Sequence, residues 1–143
     1  MDRKLQVGVK CFIKNDAGKY LLLQRAKPYL DYDKDFKWDI PGGRLNAGEP
    51  HLEALRREIK EETDMTLTGV ERIIGSQDIL RNPELHVVRL TFIASATGDI
   101  KLDPKEHRDF GWFTLEEILQ MNIDHFLEPI LKGMPTDGWV TQL

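Results

Sequence analysis

With 143 residues, 41% hydrophobic and 31% charged, the chain is long enough for one well-packed domain and too short for two ordinary ones. A net charge of −4 without any basic block excludes the electrostatic footprint of a protein that binds a nucleic-acid polymer or an anionic membrane surface. The single cysteine, Cys11, excludes an intramolecular disulfide and a multi-cysteine zinc site; with no signal sequence and no long apolar run, the expectation is a cytosolic protein.

Residues 5–14 (LQVGVKCFIK) alternate loosely and carry β-branched side chains, which predicts a strand with Cys11 as buried filler. Residues 15–18 (NDAG) read as a turn and Tyr20–Arg25 as a returning strand, so the two strands are expected to form a hairpin. Residues 27–37 lack periodicity and are expected as a surface loop at the mouth of a site; its Tyr29, Tyr32 and Phe36 either stack on a nucleobase or pack beneath the loop. Trp38–Pro41 predicts a short strand, after which Gly42 and Gly43 permit a tight turn and close approach of backbone to a ligand.

Helix onset is marked by Gly48 and Glu49 ahead of Pro50, which suits the first helical position because an N–H there would have no partner anyway. Leu52, Leu55 and Ile59 form the apolar stripe, and Glu58, Glu61 and Glu62, spaced i, i+3, i+4, share a face about 100° around from it. Ala54, one turn before Glu58, leaves space beside that face. Three carboxylates so close repel one another. From the residues alone two readings stand: a solvated acidic face, or a site for a hard cation such as Mg²⁺, which takes carboxylate oxygens and keeps positions for water and substrate phosphates.

Farther on, Val70–Leu80 is expected as a strand, residues 81–84 as a turn and Leu85–Thr97 as the strongest strand of the chain. Lys101–Phe110 reads as a polar loop and residues 111–113 as a short strand. Thr114 caps a helix reaching about Met121, with Glu116 and Glu117 in its first turn. Residues 124–133 predict a second amphipathic helix interrupted by Pro129, and a tail follows over 134–143. No repeat or linker divides the chain, so a single α/β domain over residues 1–143 is expected.

The stretch from Gly43 to Met65 closely resembles the Nudix box: Gly43, Glu49, Arg57, Glu58, Ile59, Glu61, Glu62 and Met65 occupy eight of its nine defined positions. The ninth holds Asp64, where the family has a glycine that closes the helix in the left-handed region; Asp tolerates that conformation at a cost of about 1 kcal/mol or less. Trp38–Gly43 looks like the family's strand leading into the box. The resemblance implies an α/β/α sandwich with a mixed β-sheet. It implies Mg²⁺-dependent hydrolysis, with Mn²⁺ able to substitute, of a pyrophosphate bond in a nucleoside diphosphate derivative by water attack at phosphorus.

By the same resemblance, Glu58, Glu61 and Glu62 bind the metal, with the Gly43 carbonyl as a further ligand, while Arg57 and Glu49 form an orienting pair. Gly42 and Gly43 approach the substrate, and Arg25 and Arg44 flank the phosphate path as clamps. The family often takes its general base from a loop glutamate well downstream; Glu106, six residues before Trp112, fits that placement, with Glu58 and Glu61 as competitors. His107 is expected to be structural or solvent-facing.

The implied partner is a small phosphorylated nucleotide, and a homodimer is compatible with the reading; no nucleic-acid polymer or membrane is expected. A nucleoside triphosphate, an oxidised nucleotide, a nucleotide sugar and ADP-ribose all remain open, and Pro83 explains itself as a turn proline rather than a substrate mark. Two rivals have distinguishing features. A nucleotide-binding module of the same fold often loses box acids, which this chain keeps. An isoprenoid diphosphate isomerase needs a cysteine placed for proton chemistry, and Cys11 lies far upstream of the box.

Overall fold

The computed structural model describes residues 2–27 and 36–133. In chain order its elements are β1 (Lys4–Ile13), β2 (Tyr20–Arg25), β3 (Trp38–Asp39), β4 (Gly42–Arg44), α1 (His51–Thr63), β5 (Thr66–Ile79), β6 (Leu85–Thr97), β7 (His107–Phe113), α2 (Leu115–Leu119) and α3 (Leu127–Lys132). They build a mixed four-stranded sheet of order β4-β1-β6-β5, in which only β1 and β6 run parallel, and an antiparallel three-stranded sheet of order β3-β2-β7.

Strand alternation sorts the side chains into two cores. Val9, Cys11 and Ile13 of β1 join Leu21 and Leu23 of β2 against Ala54, Leu55 and Ile59 of α1. The intervening Phe12, Tyr20 and Leu22 point the other way, to Ile118 of α2 and to Leu127 and Leu131 of α3. Helices therefore cover both sides of the strands, the expected α/β/α sandwich. Each fully buried Leu or Ile contributes roughly 1.5–3 kcal/mol.

The expected β1–β2 hairpin does not form as a two-strand ladder, because the strands enter different sheets and only Lys14 and Tyr20 bridge them. The physical reason is that both edges of β1 are engaged by other segments, the one beside the turn by β4 at Gly8–Lys10 and by Pro41 O, which accepts from Cys11 N at 3.0 Å. Along one side it pairs with β6 from Lys4↔Leu85 to Ile13↔Ala94, and along the other it meets β4. The turn itself is as expected: Gly18 N donates to Asn15 O at 3.0 Å, and Asn15 Oδ1 accepts from the Ala17 and Lys19 amides.

Residues 42–43, expected as a tight turn, instead run extended as part of β4 and pair with β1 through Val9↔Gly43 and Lys10↔Gly42. Gly42 has φ +148, and a Cβ there would lie 2.1 Å from Val9 O and 2.6 Å from the Lys10 Cα, so only glycine fits. Gly42→Ala is expected to destabilise the fold by about 2–4 kcal/mol through backbone strain and overpacking, read as a lowered denaturant midpoint. A midpoint equal to wild type would contradict this close approach.

Smaller differences have local causes. Pro50 is the residue before α1 rather than its first helical residue, at ψ 140. The strand expected over 111–113 extends back to His107 because Gln24 and Arg25 of β2 continue to pair with Asp109 and His107. The helix expected over 124–133 starts only at Leu127, which puts Pro129 in its first turn, where a missing N–H breaks no helical bond. Thr114 and Glu117 close a reciprocal capping box at α2, and Asp64 ends α1 in the left-handed region at φ 63. Tyr29 and Tyr32, like the tail over 134–143, lie outside the described residues, whereas Phe36 packs beneath the Arg108 guanidinium at 4.4 Å.

Candidate active site

The buried residues of α1 are Ala54, Leu55, Ile59 and Thr63. Leu52, expected in the stripe, is 40% exposed, and Ala54 is core rather than spare room. At about 100° per residue the arc from Ala54 to Thr63 also contains Glu58 and Glu62 and leaves Glu61 just outside. The acidic face is thus graded: the Glu58 side chain is 16% exposed and that of Glu61 58% exposed. Tertiary packing, not helix spacing, sets this gradient.

Each acid has its own setting. Glu62 accepts a hydrogen bond from Gly42 N at 3.3 Å. Burial pushes its carboxyl up to about 8, against the pull of Lys10 and the Gly42 N–H. Burial also raises Glu58, with Arg57 opposing. A Cβ on Gly43 would fall 2.3 Å from the Glu58 Cδ, so the bare glycine leaves room for that carboxylate.

Arg57 ties the helix to the loop before it. Its Nε and Nη2 grip the two Glu49 oxygens at 2.8 and 2.9 Å, Nη2 also reaches Arg44 O at 3.1 Å, and Nη1 reaches Glu58 at 2.9 Å and Glu61 at 3.3 Å. Glu49 accepts in addition from Asn46 N at 3.1 Å. The Arg57 hydrogen bonds, then the Asn46 amide, hold the Glu49 carboxyl down at about 2, and Glu49 in turn raises Arg57.

With Glu58 and Glu61 turned to Arg57 and Glu62 turned to Gly42, no three His, Cys, Asp or Glu among the described residues converge on one point as ion ligands. The donor chemistry nevertheless suits a hard cation. All the oxygens are carboxylate or carbonyl, and two of the acids carry burial-raised pKa values that a positive charge would relieve.

On the opposite face of the mixed sheet lies a cavity of about 410 Å³. Lys10, Arg25, Arg44, Arg81 and Arg89 line it together with Gly42 and Gly43, and Ile79, Leu85 and Val87 supply apolar wall. Acids and cations meet across β4, because Gly43 faces Glu58 while Gly42 and Arg44 face the cavity. Lys10 Nζ is held by Asp39 Oδ2 at 2.6 Å and by Ile40 O at 3.2 Å, and Arg44 by Gln6.

Of the residues singled out from sequence, Gly42, Gly43, Arg25 and Arg44 gather at the cavity, and Glu49, Arg57, Glu58, Glu61 and Glu62 gather on the helix side. Glu106 ends a turn whose backbone bonds to β2 through Ala26 N, 2.9 Å from Glu106 O; its carboxylate makes no hydrogen bond or ion pair to a described residue. His107 is half-buried, and its Nδ1 is buried without a hydrogen-bond partner among the described residues. Burial first, then Lys10 and Arg25, lower its pKa to about 4 and hold the ring neutral. The Cys11 thiol is fully buried and its pKa raised, chiefly by that burial, which removes it from proton chemistry at neutral pH.

Lys10, Arg81 and Arg89 were not singled out from sequence. A legible sign existed for two of them: Lys10 between Val9 and Cys11, and Arg89 between Val88 and Leu90, are lone cations in otherwise apolar strands. Arg81, in a turn, carried none.

Comparison with known proteins gives consistent results. The family profile described as the NUDIX domain matches residues 4–134. A nucleoside triphosphatase NudI from an Escherichia coli strain is 32% identical over 122 residues, covering 78% of this chain and 84% of that protein. Among solved structures, the MutT protein of Methanosarcina mazei Go1 superposes with a TM-score of 0.77 at 29% identity, covering 93% of this chain and 94% of its own. The MutT NUDIX hydrolase of Burkholderia pseudomallei gives 0.76 at 27% identity, covering 91% and 98%. No described helix is long and apolar enough to cross a membrane.

Proposed function

This chain belongs to the Nudix hydrolase family, and from that premise we propose that it is a magnesium-dependent pyrophosphohydrolase whose substrate is a nucleoside triphosphate. The observation that carries this reading is the juxtaposition across β4: the Glu58, Glu61 and Glu62 face on one side and a cavity with Lys10, Arg25, Arg44, Arg81 and Arg89 on the other. A phosphate chain at Gly42 and Gly43 would meet cations from one side and a metal site from the other. The cavity, about 410 Å³, falls in the roughly 300–1,000 Å³ range of small-molecule sites. The relative named a nucleoside triphosphatase supports the substrate class.

In this reading Glu58, Glu61, Glu62 and the Gly43 carbonyl hold Mg²⁺, with Mn²⁺ able to substitute. A divalent ion so bound neutralises phosphate oxygens and lowers the pKa of water. Arg57 and Glu49 fix the loop and present Glu58 and Glu61, Lys10, Arg25 and Arg44 grip the phosphates, and Glu106 takes the proton of the attacking water. The backbone bond from Ala26 supports that role for Glu106, since it ties the turn to the Arg25 end of β2.

The test is a panel of nucleoside triphosphates, UDP-glucose and ADP-ribose, assayed for pyrophosphate or mononucleotide release with Mg²⁺ and with EDTA. Triphosphates are expected to exceed the other two by about tenfold or more in kcat/KM, with EDTA abolishing turnover. Faster hydrolysis of ADP-ribose or UDP-glucose would overturn the substrate class, and EDTA-insensitive turnover would overturn the metal assignment.

A further inference from the structure

The wall of the cavity holds a buried cation whose donors the fold leaves open. Arg89 is 9% exposed and lines the cavity. Its ionic partner among the described residues is Asp124, with Nη1 3.9 Å from Asp124 Oδ1, which is beyond hydrogen-bond range, and no hydrogen bond from its guanidinium to a described residue closes. A guanidinium offers five N–H donors, and none of those on Arg89 is both buried and unpartnered, so the donors the fold leaves open are reachable from the cavity.

Asp124 holds the arrangement from behind. It is 1% exposed, lies 3.6 Å from Arg81 Nη1, and accepts from Phe126 N at 2.9 Å. Its own amide donates to Trp38 O at 2.8 Å, and Gln77 Nε2 fastens the same loop at Phe126 O, also 2.8 Å.

Beside Arg89 lies Gly8, paired with Arg89 on one side and with Arg44 on the other. The three share one face of neighbouring strands, so Gly8 opens a gap between two arginines on the sheet surface. Nothing in the fold requires glycine here. Its φ is outside the left-handed region, and an added Cβ would meet only Val87 Cγ1 at 3.5 Å and Gly43 O at 3.7 Å, ordinary contacts. Glycine in mid-strand is unfavourable, and one with no conformational or packing demand marks a place where something else comes close.

We propose that Gly8 is the floor of a base-binding slot and that Arg89, positioned by Asp124, donates to a carbonyl edge of the base, so that the enzyme selects nucleotides of uracil, thymine or guanine over adenine. This rests on the nucleoside triphosphate reading above and adds to it the residue that chooses among triphosphates. The walls beside the slot, Ile79, Leu85 and Val87, suit a flat heterocycle. Arginine only donates, which matches the O6 and N7 acceptors of guanine or the O4 of thymine and uracil. Adenine presents an amino donor in the corresponding place. The described lining includes no carboxylate to receive it.

The experiment measures kcat/KM for dUTP, dGTP and dATP with the wild type, Arg89→Lys and Gly8→Ala, together with melting temperatures. Wild type is expected to favour dUTP and dGTP over dATP by about tenfold or more, and Arg89→Lys, which keeps the charge but loses the fork, to erase most of that ratio through KM. Gly8→Ala should melt at or above the wild-type temperature yet raise KM for all three about tenfold. Turnover without base preference, a preference that survives Arg89→Lys, or Gly8→Ala with wild-type KM would overturn this slot while leaving the hydrolase reading intact. No turnover of any triphosphate would overturn that reading and the slot with it.

Discussion

Glu61→Gln is expected to lower kcat about 10²–10⁴-fold while leaving the unfolding midpoint essentially where it was. The two halves of this expectation have separate grounds. Glu61 is the one acid of the trio outside the buried arc of α1, with its side chain 58% exposed, so the amide disturbs no core contact. Its single ion pair, with Arg57 Nη1 at 3.3 Å, is of the exposed kind worth about 0–1 kcal/mol, and surface changes usually stay within about ±0.5 kcal/mol. The amide is nearly isosteric but carries no charge, and so cannot neutralise a divalent cation or present an anionic oxygen to a water. Steady-state turnover with Mg²⁺ and a denaturant titration decide it together. Turnover like wild type would remove Glu61 from the metal set, and a large drop in midpoint would make it a structural residue.

Mg²⁺ affinity is expected to tighten about tenfold per pH unit between pH 6 and 8 and then level off, because of Glu62. Burial raises this carboxyl to about 8, so below that value the group is mostly protonated and its ionised fraction falls tenfold per unit. A cation binds the ionised form, so its dissociation constant rises as pH falls. The sign for stability runs the other way in metal-free protein. A carboxyl whose folded pKa is raised adds stability that is full below its unfolded value, near 4.3, and is lost as pH rises through about 8. Metal-free protein should therefore melt higher at pH 5 than at pH 8, and Mg²⁺ should stabilise it most at pH 8. Titration calorimetry at pH 6, 7 and 8 measures the first trend and melting with and without Mg²⁺ the second. A dissociation constant that does not change with pH would show that Glu62 is not titrating with the metal.

The Glu62 case also shows where sequence reading reached its limit. A period of 3.6 residues places Glu58, Glu61 and Glu62 together on α1 but treats them as equals, because periodicity carries no information about what packs above each one. Contact with β1 and β4 separates them into one open and two withdrawn acids, and with that sets their proton affinities. Hairpin reading failed for a related reason. Residues 15–18 are a genuine turn, but whether two adjacent strands pair depends on competition for an edge, and β4, paired with Gly8–Lys10, together with Pro41 O, which accepts from Cys11 N, occupies the edge of β1 beside the turn.

By itself the sequence determined the family, the sandwich of strands between helices, the acidic helix face and the Arg57–Glu49 pair. The family, the acidic face and the Arg57–Glu49 pair are local, written in a fixed spacing within one turn-and-helix segment, and the sandwich followed from the family. Only the tertiary structure decided the cavity. Lys10, Arg25, Arg44, Arg81 and Arg89 come from four strands and a loop, and what brings them to one place is strand register: Gly8 lies opposite both Arg44 and Arg89, and Lys10 lies opposite Gly42. Register depends on every residue of the paired strands at once, because a slip of one position would turn each of these side chains to the other face. The acidic helix was thus legible in one segment, while the cavity was spread over the whole sheet.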